Sequence, residues 1–152
     1  MIIRQADTSH CERLNRIAVN SEAFWGYDSD FMESFKALYN IREEFIRDNE
    51  TYVIEENESI IGFYSILMDN KEASLEYFYI EPKYIGKGYG RTLWNHLVNK
   101  CRNNNINEIV LVTSPQAKDF YIKMGAVQTG EVESIVMEGR KIPKLVYSFK
   151  SS

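Results

Sequence analysis

Apolar residues in the first part of the chain recur at helical spacing after a short strand. The strand is predicted over residues 2–6. Ser9 is the expected N-cap of the first helix, because it stands three residues before Glu12, which is the spacing of a capping box. Three apolar residues of this helix share one face: Leu14, Ile17 and Ala18.

A second helical pattern follows an aromatic segment, residues 24–27, which we expect to be a loop. Asp30 is expected to open the second helix, because it stands three residues before Glu33. Its apolar face is formed by Phe31, Phe35 and Leu38. After a break, residues 41–48 continue the helical pattern, so the first strand is followed by two helices.

From Thr51 onward the apolar pattern has the period of β structure. Three strands are expected here, at residues 51–55, 60–68 and 74–80. The polar pair Asn57-Glu58 forms the turn of a hairpin, and a second polar turn covers residues 69–71. Together these features predict an antiparallel meander.

The second half of the chain alternates helices and strands. A helix with a broad apolar stripe is predicted from Thr92 to Arg102, and a buried strand follows over residues 108–113. Strand, crossover helix and strand in this order imply parallel pairing between the fourth and fifth strands.

The last helix and a final hairpin complete the predicted order. Ser114-Pro115 is a good N-cap and N1 pair, so we expect a helix from there through Met124, terminated by Gly125. Two further strands, over residues 126–134 and 142–149, form a hairpin whose turn contains Glu138-Gly139.

Composition narrows the class of protein. The 152 residues suit one domain, and 44% hydrophobic and 13% aromatic residues indicate a folded chain. A net charge of −4 disfavours a nucleic-acid partner. Cys11 and Cys101 lack metal-ligand spacing, so we expect free thiols in a reducing cytoplasm. We expect neither a signal peptide nor a membrane span.

Candidate chemistry is concentrated after the fourth strand. Residues 75–82 form a β-branched and aromatic run closed by proline, and three glycines at alternate positions then open a helix: Gly86, Gly88 and Gly90. Glycines let the backbone approach a ligand and adopt positive φ, so successive N–H groups can converge with the positive helix end on a phosphate. We therefore predict a phosphorylated ligand.

The spacing of these glycines excludes two common phosphate loops. No segment fits the Walker A pattern, and in the dinucleotide fingerprint Arg91 or Leu93 would replace the last glycine. The segment resembles instead the acyl-CoA loop of the GNAT superfamily of N-acetyltransferases, in which V/I-x-P precedes [QR]-x-x-G-x-[GA]. Ile85 departs from the usual Gln or Arg, which removes one side-chain contact and leaves the backbone cradle.

A second motif, about thirty residues later, also resembles this superfamily. Members typically show N-x-x-A-x-x-[FL]-Y-x-K-x-G-F after the fifth strand. Five residues match that pattern: Ala117, Phe120, Tyr121, Lys123 and Gly125. Ser114 stands for the usual Asn and Ala126 for the usual Phe.

The resemblance implies a fold and a reaction for the whole chain. It implies one α+β GNAT domain over residues 1–152, with a mixed, mostly antiparallel sheet in the order β-α-α-β-β-β-α-β-α-β-β and with strands 4 and 5 parallel and splayed. It implies direct acetyl transfer from acetyl-CoA, without a metal, to a primary amine of a small molecule or peptide. Neither a nucleic acid nor a membrane is an expected partner, and a homodimer remains one possible assembly.

The resemblance also assigns cofactor contacts to particular residues. Main-chain groups of the fourth strand would hold the pantetheine arm and the oxyanion, with the arm pairing as an added strand. The residues expected to bind the acetyl-CoA are Phe78, Tyr79, Ile80, Gly86, Lys87, Gly88, Tyr89, Gly90, Arg91, Ser114, Ala117 and Tyr121.

Two side chains are candidates for proton transfer. Tyr121 matches the tyrosine that protonates the departing thiolate in many members, although a tyrosine here could also simply pack beside Phe120. Glu76 is the candidate general base, being a carboxylate inside an apolar strand; the alternatives are a salt-bridged or edge-exposed glutamate, or a water chain. Glu81 is expected to be a solvated loop residue.

Acceptor recognition in this superfamily usually involves the segment between the first two helices and the last hairpin. Phe24, Trp25 and Tyr27 would then form a wall for the amine, with cation–π attraction at Trp25; the alternative is a hydrophobic plug between the helices. Two other functions stay open: a non-catalytic acyl-CoA-binding sensor, and a toxin-like transferase acting on charged tRNA, which the acidic net charge disfavours.

Overall fold

The computed structural model describes residues 1–149, in which helices cover both faces of one mixed sheet. The strands are β1 (Ile2–Gln5), β2 (Glu50–Glu56), β3 (Ser59–Asp69), β4 (Glu72–Ile80), β5 (Glu108–Val112), β6 (Val127–Glu133) and β7 (Lys141–Ser148). The helices are α1 (Cys11–Ala23), α2 (Ser29–Leu38), α3 (Glu43–Asp48), α4 (Tyr89–Asn103) and α5 (Lys118–Lys123). Short 3-10 helices cover Thr8–His10 and Pro82–Tyr84.

The strand order creates an opening in the middle of the sheet. The strands lie in the order β1-β2-β3-β4-β5-β7-β6, and β4 and β5 are parallel while the other neighbours are antiparallel, which confirms the predicted fold class. The parallel pairing joins only Glu72–Ser74 to Glu108–Val110. Beyond Ser74, β4 continues to Ile80 along β3 alone, so β4 and β5 splay apart.

Two apolar clusters hold the layers together, one on each face of the sheet. Helices α1 and α2 pack on one face, with a buried cluster that includes Leu14, Ile17, Phe31, Phe35, Val53 and Phe63. Helices α4 and α5 pack on the other face, with a buried cluster that includes Ile61, Tyr64, Leu93, Trp94, Leu97 and Ile109. Over residues 1–149, no helix has the length and apolarity needed to cross a membrane.

The predicted caps of the first two helices are wrong. Asp7 is the cap at the start of the first helical segment: its carboxylate accepts from the Ser9 N–H at 2.8 Å, and a 3-10 turn precedes α1. Asp28 caps α2 by accepting from the Phe31 N–H at 2.8 Å. In both segments two cap-forming residues stand two positions apart, and the sequence pattern does not decide between them.

The predicted start of the last helix, at Ser114-Pro115, is also wrong. The Ser114 hydroxyl accepts from the Ala117 N–H at 3.3 Å, as an N-cap would, but residues 115–117 form a turn and α5 begins only at Lys118. The end agrees with the prediction, since Gly125 follows the C-cap with φ of 108°.

Glu81 is buried rather than solvated, which corrects the expectation for this residue. Its side chain lies under α1: an Oε atom is 3.1 Å from the Arg13 guanidinium, and the Asn20 side-chain amide donates to the other at 3.0 Å. Arg13 also donates to the Ile60 carbonyl at 2.8 Å. The ion pair therefore fixes α1 on the end of β4, next to the glycine loop.

We expect Glu81→Gln to lower the free energy of unfolding by about 2 kcal/mol, because it leaves the partly buried Arg13 without its counter-charge. Urea denaturation measures this loss. The matched control is Glu12→Gln on the same helix, whose exposed carboxylate lies 3.5 Å from Arg16 and whose loss should change stability by less than about 0.5 kcal/mol. Equal effects of the two substitutions would contradict the structural importance of Glu81.

Candidate active site

The glycine loop presents a row of free backbone donors at the start of α4. Gly86 and Gly88 have φ of 83° and 90°, a region that favours glycine. Within residues 1–149, no carbonyl or side chain accepts from the amides of residues 86–91. Unpaired N–H groups at the positive end of a 15-residue helix are suited to an anion.

Basic side chains surround this loop. The Lys83 and Lys87 ammonium groups lie 5.3 and 5.7 Å from the centre of the Tyr84 ring, and Arg91 is exposed in the first turn of α4. The Tyr89 hydroxyl donates to Glu56 at 3.0 Å, which ties the helix start to β2. Backbone and side chains thus place positive potential at the same point.

Gly90 allows α4 and α5 to approach each other. A Cβ atom at Gly90 would lie 3.1 Å from the Phe120 ring. Because Phe120 precedes Tyr121, this close contact connects the anion loop to the centre of the splayed sheet.

The splayed strands open into a cavity of about 320 Å³. Residues 75–79 of β4 and residues 112–114 at the end of β5 form two of its walls, and Ala117 and Tyr121 close it on the α5 side. The remaining walls come from α1, α2 and the β6–β7 loop. The edge of β4 that faces the cavity has no strand partner after Ser74, so the main chain of Phe78–Ile80 is available to an extended ligand.

Tyr121 is buried in this cavity, with 6% of its surface exposed. Its ring makes edge contacts with Phe78 and Trp94, at centroid distances of 5.9 and 5.8 Å. Burial raises the pKa of the phenol well above its usual value, the Glu22 charge raises it further, and the Thr113 side chain acts in the opposite direction. The hydroxyl is therefore protonated over the physiological pH range.

Glu76 reaches the same cavity from a β-bulge. Ser65 of β3 pairs with Tyr77 and the next residue, Ile66, pairs with Leu75, so Glu76 is the extra residue on β4. Its side chain is exposed, as one of the alternatives expected, its carboxylate accepts from the Ser74 hydroxyl at 3.4 Å, and partial burial raises its pKa. The bulge explains how a carboxylate is accommodated in an apolar strand, and the role as a base stays a prediction.

The aromatic segment after α1 is divided between the cavity and the surface. Trp25 lines the cavity, whereas Phe24 is 53% exposed and makes an edge contact with Trp25 at 5.2 Å. The Tyr27 ring stacks on Phe31 at 4.0 Å. The structure therefore gives the three predicted acceptor residues different surroundings.

Tyr27 ties three segments together above the cavity. Its hydroxyl donates to the Gln116 side chain at 2.8 Å and accepts from the Arg140 guanidinium at 2.6 Å. Arg140 also lies over the rings of Tyr27 and Phe31, at 4.9 and 5.2 Å. The α1–α2 loop, the β6–β7 loop and the segment before α5 are thus joined at one hydroxyl.

The sequence analysis missed Glu22, which lies in the last turn of α1 and lines the cavity. Burial raises the pKa of its carboxyl to about 6, while the Arg140 charge lowers it. An acidic residue in the last turn of a helix, where cations are favoured, was the signal in the sequence.

The comparisons with known proteins agree with this geometry. A family model described as the acetyltransferase (GNAT) family matches residues 11–126. The chain resembles the PaiA N-acetyltransferase of Thermoplasma acidophilum in complex with coenzyme A, at 19% identity and a TM-score of 0.82 over 97% of this chain and 98% of the other.

Two further solved structures share the fold. The ribosomal-protein-S18-alanine N-acetyltransferase of Escherichia coli is 15% identical, with a TM-score of 0.74 over 99% of this chain and 95% of the other. The protein yncA of Salmonella typhimurium, solved with its cofactor acetyl-CoA, is 20% identical, with a TM-score of 0.71 over 100% and 95%. The curated proteins gave no significant sequence match.

Proposed function

The chain belongs to the acetyltransferase (GNAT) family, and from that premise we propose that it transfers the acetyl group of acetyl-CoA to a primary amine of a small molecule or peptide. Family membership supports acetyl transfer in general. The choice of an amine acceptor rests on the chemistry of the cavity, where carboxylates and aromatic rings suit a cationic group.

One observation carries the proposal: the open edge of β4 and the Tyr121 phenol line one cavity, and the loop with the free amides of residues 86–91 packs through Gly90 on Phe120, the neighbour of Tyr121. This arrangement suits an extended thioester with a diphosphate at one end. Two of the similar structures contain coenzyme A or acetyl-CoA, which supports the same acyl donor here.

The residues divide the reaction between binding and proton transfer. The amides of residues 86–91, with Lys87 and Arg91, bind the diphosphate, and the main chain of Phe78–Ile80 aligns the pantetheine arm and polarises the thioester carbonyl. Ser114 and Ala117 flank that arm. Tyr121 donates its proton to the thiolate that leaves.

Direct transfer to the amine is proposed because, among residues 1–149, no thiol lines the cavity. Cys101 lies on the buried face of α4, where burial raises its pKa to about 11. Cys11 lies on α1 and donates to the Ile41 carbonyl at 3.0 Å. Neither thiol is placed to form an acyl-enzyme.

The acceptor site is the cavity wall that carries Trp25, together with the neighbouring Phe24 and Tyr27. We include Glu76 as a candidate base, because its carboxylate reaches this wall from the bulge.

The experiment is thiol release from acetyl-CoA with a panel of amines: phenethylamine, butylamine, 1,4-diaminobutane and alanine amide. We expect at least one amine to accelerate release and the N-acetylated amine to appear by mass spectrometry. Acetyl-CoA that raises the melting temperature while no amine accelerates thiol release would favour the acyl-CoA sensor instead. Salt-dependent tRNA binding would favour the tRNA-directed transferase.

A further inference from the structure

Glu22 is a carboxylate without a partner in the wall of the cavity. It is partly buried, and within residues 1–149 no donor lies within hydrogen-bond or ion-pair distance of its carboxylate. It contrasts with the nearby Glu81, whose carboxylate has both Arg13 and Asn20 as partners. Its carboxylate oxygens keep some contact with solvent, but partial desolvation of a charge without a counter-charge still reduces stability, so packing does not explain this residue.

The position of Glu22 on its helix is unfavourable too. It stands in the last turn of α1, a helix with no basic residue there, and a carboxylate at this end faces the negative pole of the helix dipole. Partial burial and the negative end of the helix both disfavour the ionised form of the Glu22 carboxyl. Such strain is characteristic of functional carboxylates.

The charged and titratable groups that face Glu22 come from four segments. They are Tyr39 after α2, Tyr79 on β4, Tyr121 on α5 and Arg140 in the β6–β7 loop. The Arg140 guanidinium is held by the Tyr27 hydroxyl and by two aromatic rings, and it forms no ion pair with Glu22. The cavity thus retains a negative charge that an incoming ammonium group can neutralise.

Glu22 is also the carboxylate that acts on the phenol. The charge of Glu22 raises the pKa of Tyr121, Tyr79 and Tyr39, whereas the charge of Glu76 raises the pKa of Tyr39 and Tyr77. A carboxyl that ionises near pH 6 thus lies near a phenol that stays protonated. Two groups whose pKa values are separated in this way suit a base and an acid of one reaction.

We propose that Glu22 is the general base: its carboxylate, in the cavity wall near Tyr121, receives the ammonium group of the acceptor and removes one proton from it. This inference rests on the proposed function and specifies its acceptor as an amine that binds in its cationic form. It assigns the base to Glu22 rather than to Glu76.

The proton balance is complete with two residues. Glu22 takes one proton from the ammonium, and the neutral amine attacks the thioester carbonyl while the bond from carbon to sulfur breaks. Tyr121 protonates the thiolate, and the second proton lost by the nitrogen restores the phenol. The net products are the amide, the free thiol and one proton, which Glu22 passes to solvent.

The test is the pH dependence of kcat/KM for the fastest amine of the panel. In the wild type we expect kcat/KM to fall below about pH 6, where Glu22 becomes protonated. In Glu22→Gln we expect a fall of at least tenfold at pH 7, because general base catalysis contributes about 10²-fold and water replaces part of it. The pH below which kcat/KM falls should then move towards the pKa of the free amine, about 10 for an alkylamine and about 8 for alanine amide.

Two matched variants separate the alternatives. Glu12→Gln, on the exposed face of the same helix, should retain both the wild-type kcat/KM at pH 7 and its fall below about pH 6. Glu76→Gln should retain the fall below about pH 6. The inference would be overturned if the pH below which kcat/KM falls shifted in Glu76→Gln and stayed near 6 in Glu22→Gln. A raised KM for the amine in Glu22→Gln with an unchanged pH dependence of kcat/KM would also overturn it, since Glu22 would then only bind the amine.

Thermal unfolding without acetyl-CoA gives a readout that does not depend on turnover. Burial raises the pKa of Glu22 from 4.5 to about 6, so its ionisation destabilises the fold as the pH rises through this interval. Glu22→Gln should therefore melt a few degrees higher than the wild type at pH 8 and at the same temperature at pH 4.5. Equal melting temperatures at pH 8 would count against a strained carboxylate. No thiol release with any amine, with this pH effect intact, would refute the proposed function itself.

Discussion

Tyr121→Phe is expected to lower kcat about 10²-fold while changing the KM for acetyl-CoA by less than about twofold. The phenol is buried, it is held protonated, and its ring is fixed by contacts with Phe78 and Trp94. Loss of the hydroxyl removes the proton donor and leaves this packing intact. A thiol has a pKa of about 8.5 and leaves without full protonation, so we expect a loss at the low end of the range for general acids.

The measurement is thiol release at saturating amine. Tyr147→Phe is the matched control, because its ring makes an edge contact with Trp94 at 5.6 Å, similar to that of Tyr121, and does not line the cavity. The control should keep kcat within about twofold. An unchanged kcat in Tyr121→Phe would remove the phenol from the mechanism.

The fold was predictable because its signals are local. The turn residues Asn57-Glu58 both have positive φ, as a tight hairpin turn requires, and Gly125 ends α5 in the left-handed region. The parallel pairing of β4 and β5 followed from a strand, a helix and a strand in sequence. Each of these inferences uses only residue types at short spacing or the order of consecutive elements, and both can be taken directly from the sequence.

The glycine loop was the part of the candidate site with the clearest sequence pattern, and Tyr121, Glu76 and Trp25 were also expected there and line the cavity. The glycine loop depends on φ values that few residues adopt, so its pattern is visible in the sequence. Glu22 and Glu81 depend on elements distant in sequence: Arg140 and Tyr121 face the first, and Arg13 pairs with the second. An amphipathic pattern assigns a glutamate to solvent by default, and a tertiary contact reverses that assignment without changing the pattern.

The double substitution Gly86→Ala/Gly88→Ala is expected to weaken acetyl-CoA binding about 10²-fold. Both residues have positive φ, and a Cβ at either would meet no atom within 4 Å, so the effect comes from backbone strain rather than from a clash. A left-handed conformation costs alanine about 1–2 kcal/mol per residue, and two such residues shift the loop away from it by about 3 kcal/mol. That free energy corresponds to about a 10²-fold change in Kd.

Calorimetry with acetyl-CoA measures the change, and Gly139→Ala is the matched control. Gly139 has φ of +82° and equally open surroundings, but it lies between β6 and β7, outside the loop that precedes α4. We expect the same backbone strain in Gly139→Ala to cause a small loss of stability and to leave the Kd for acetyl-CoA unchanged. If the double substitution also left Kd unchanged, the amides of residues 86–91 would not be the diphosphate site, and the argument from free donors at the start of α4 would fail. Loss of affinity in the loop variant alone would mean that binding depends on the direction of those N–H groups, because the substitution leaves every charged side chain around the loop in place.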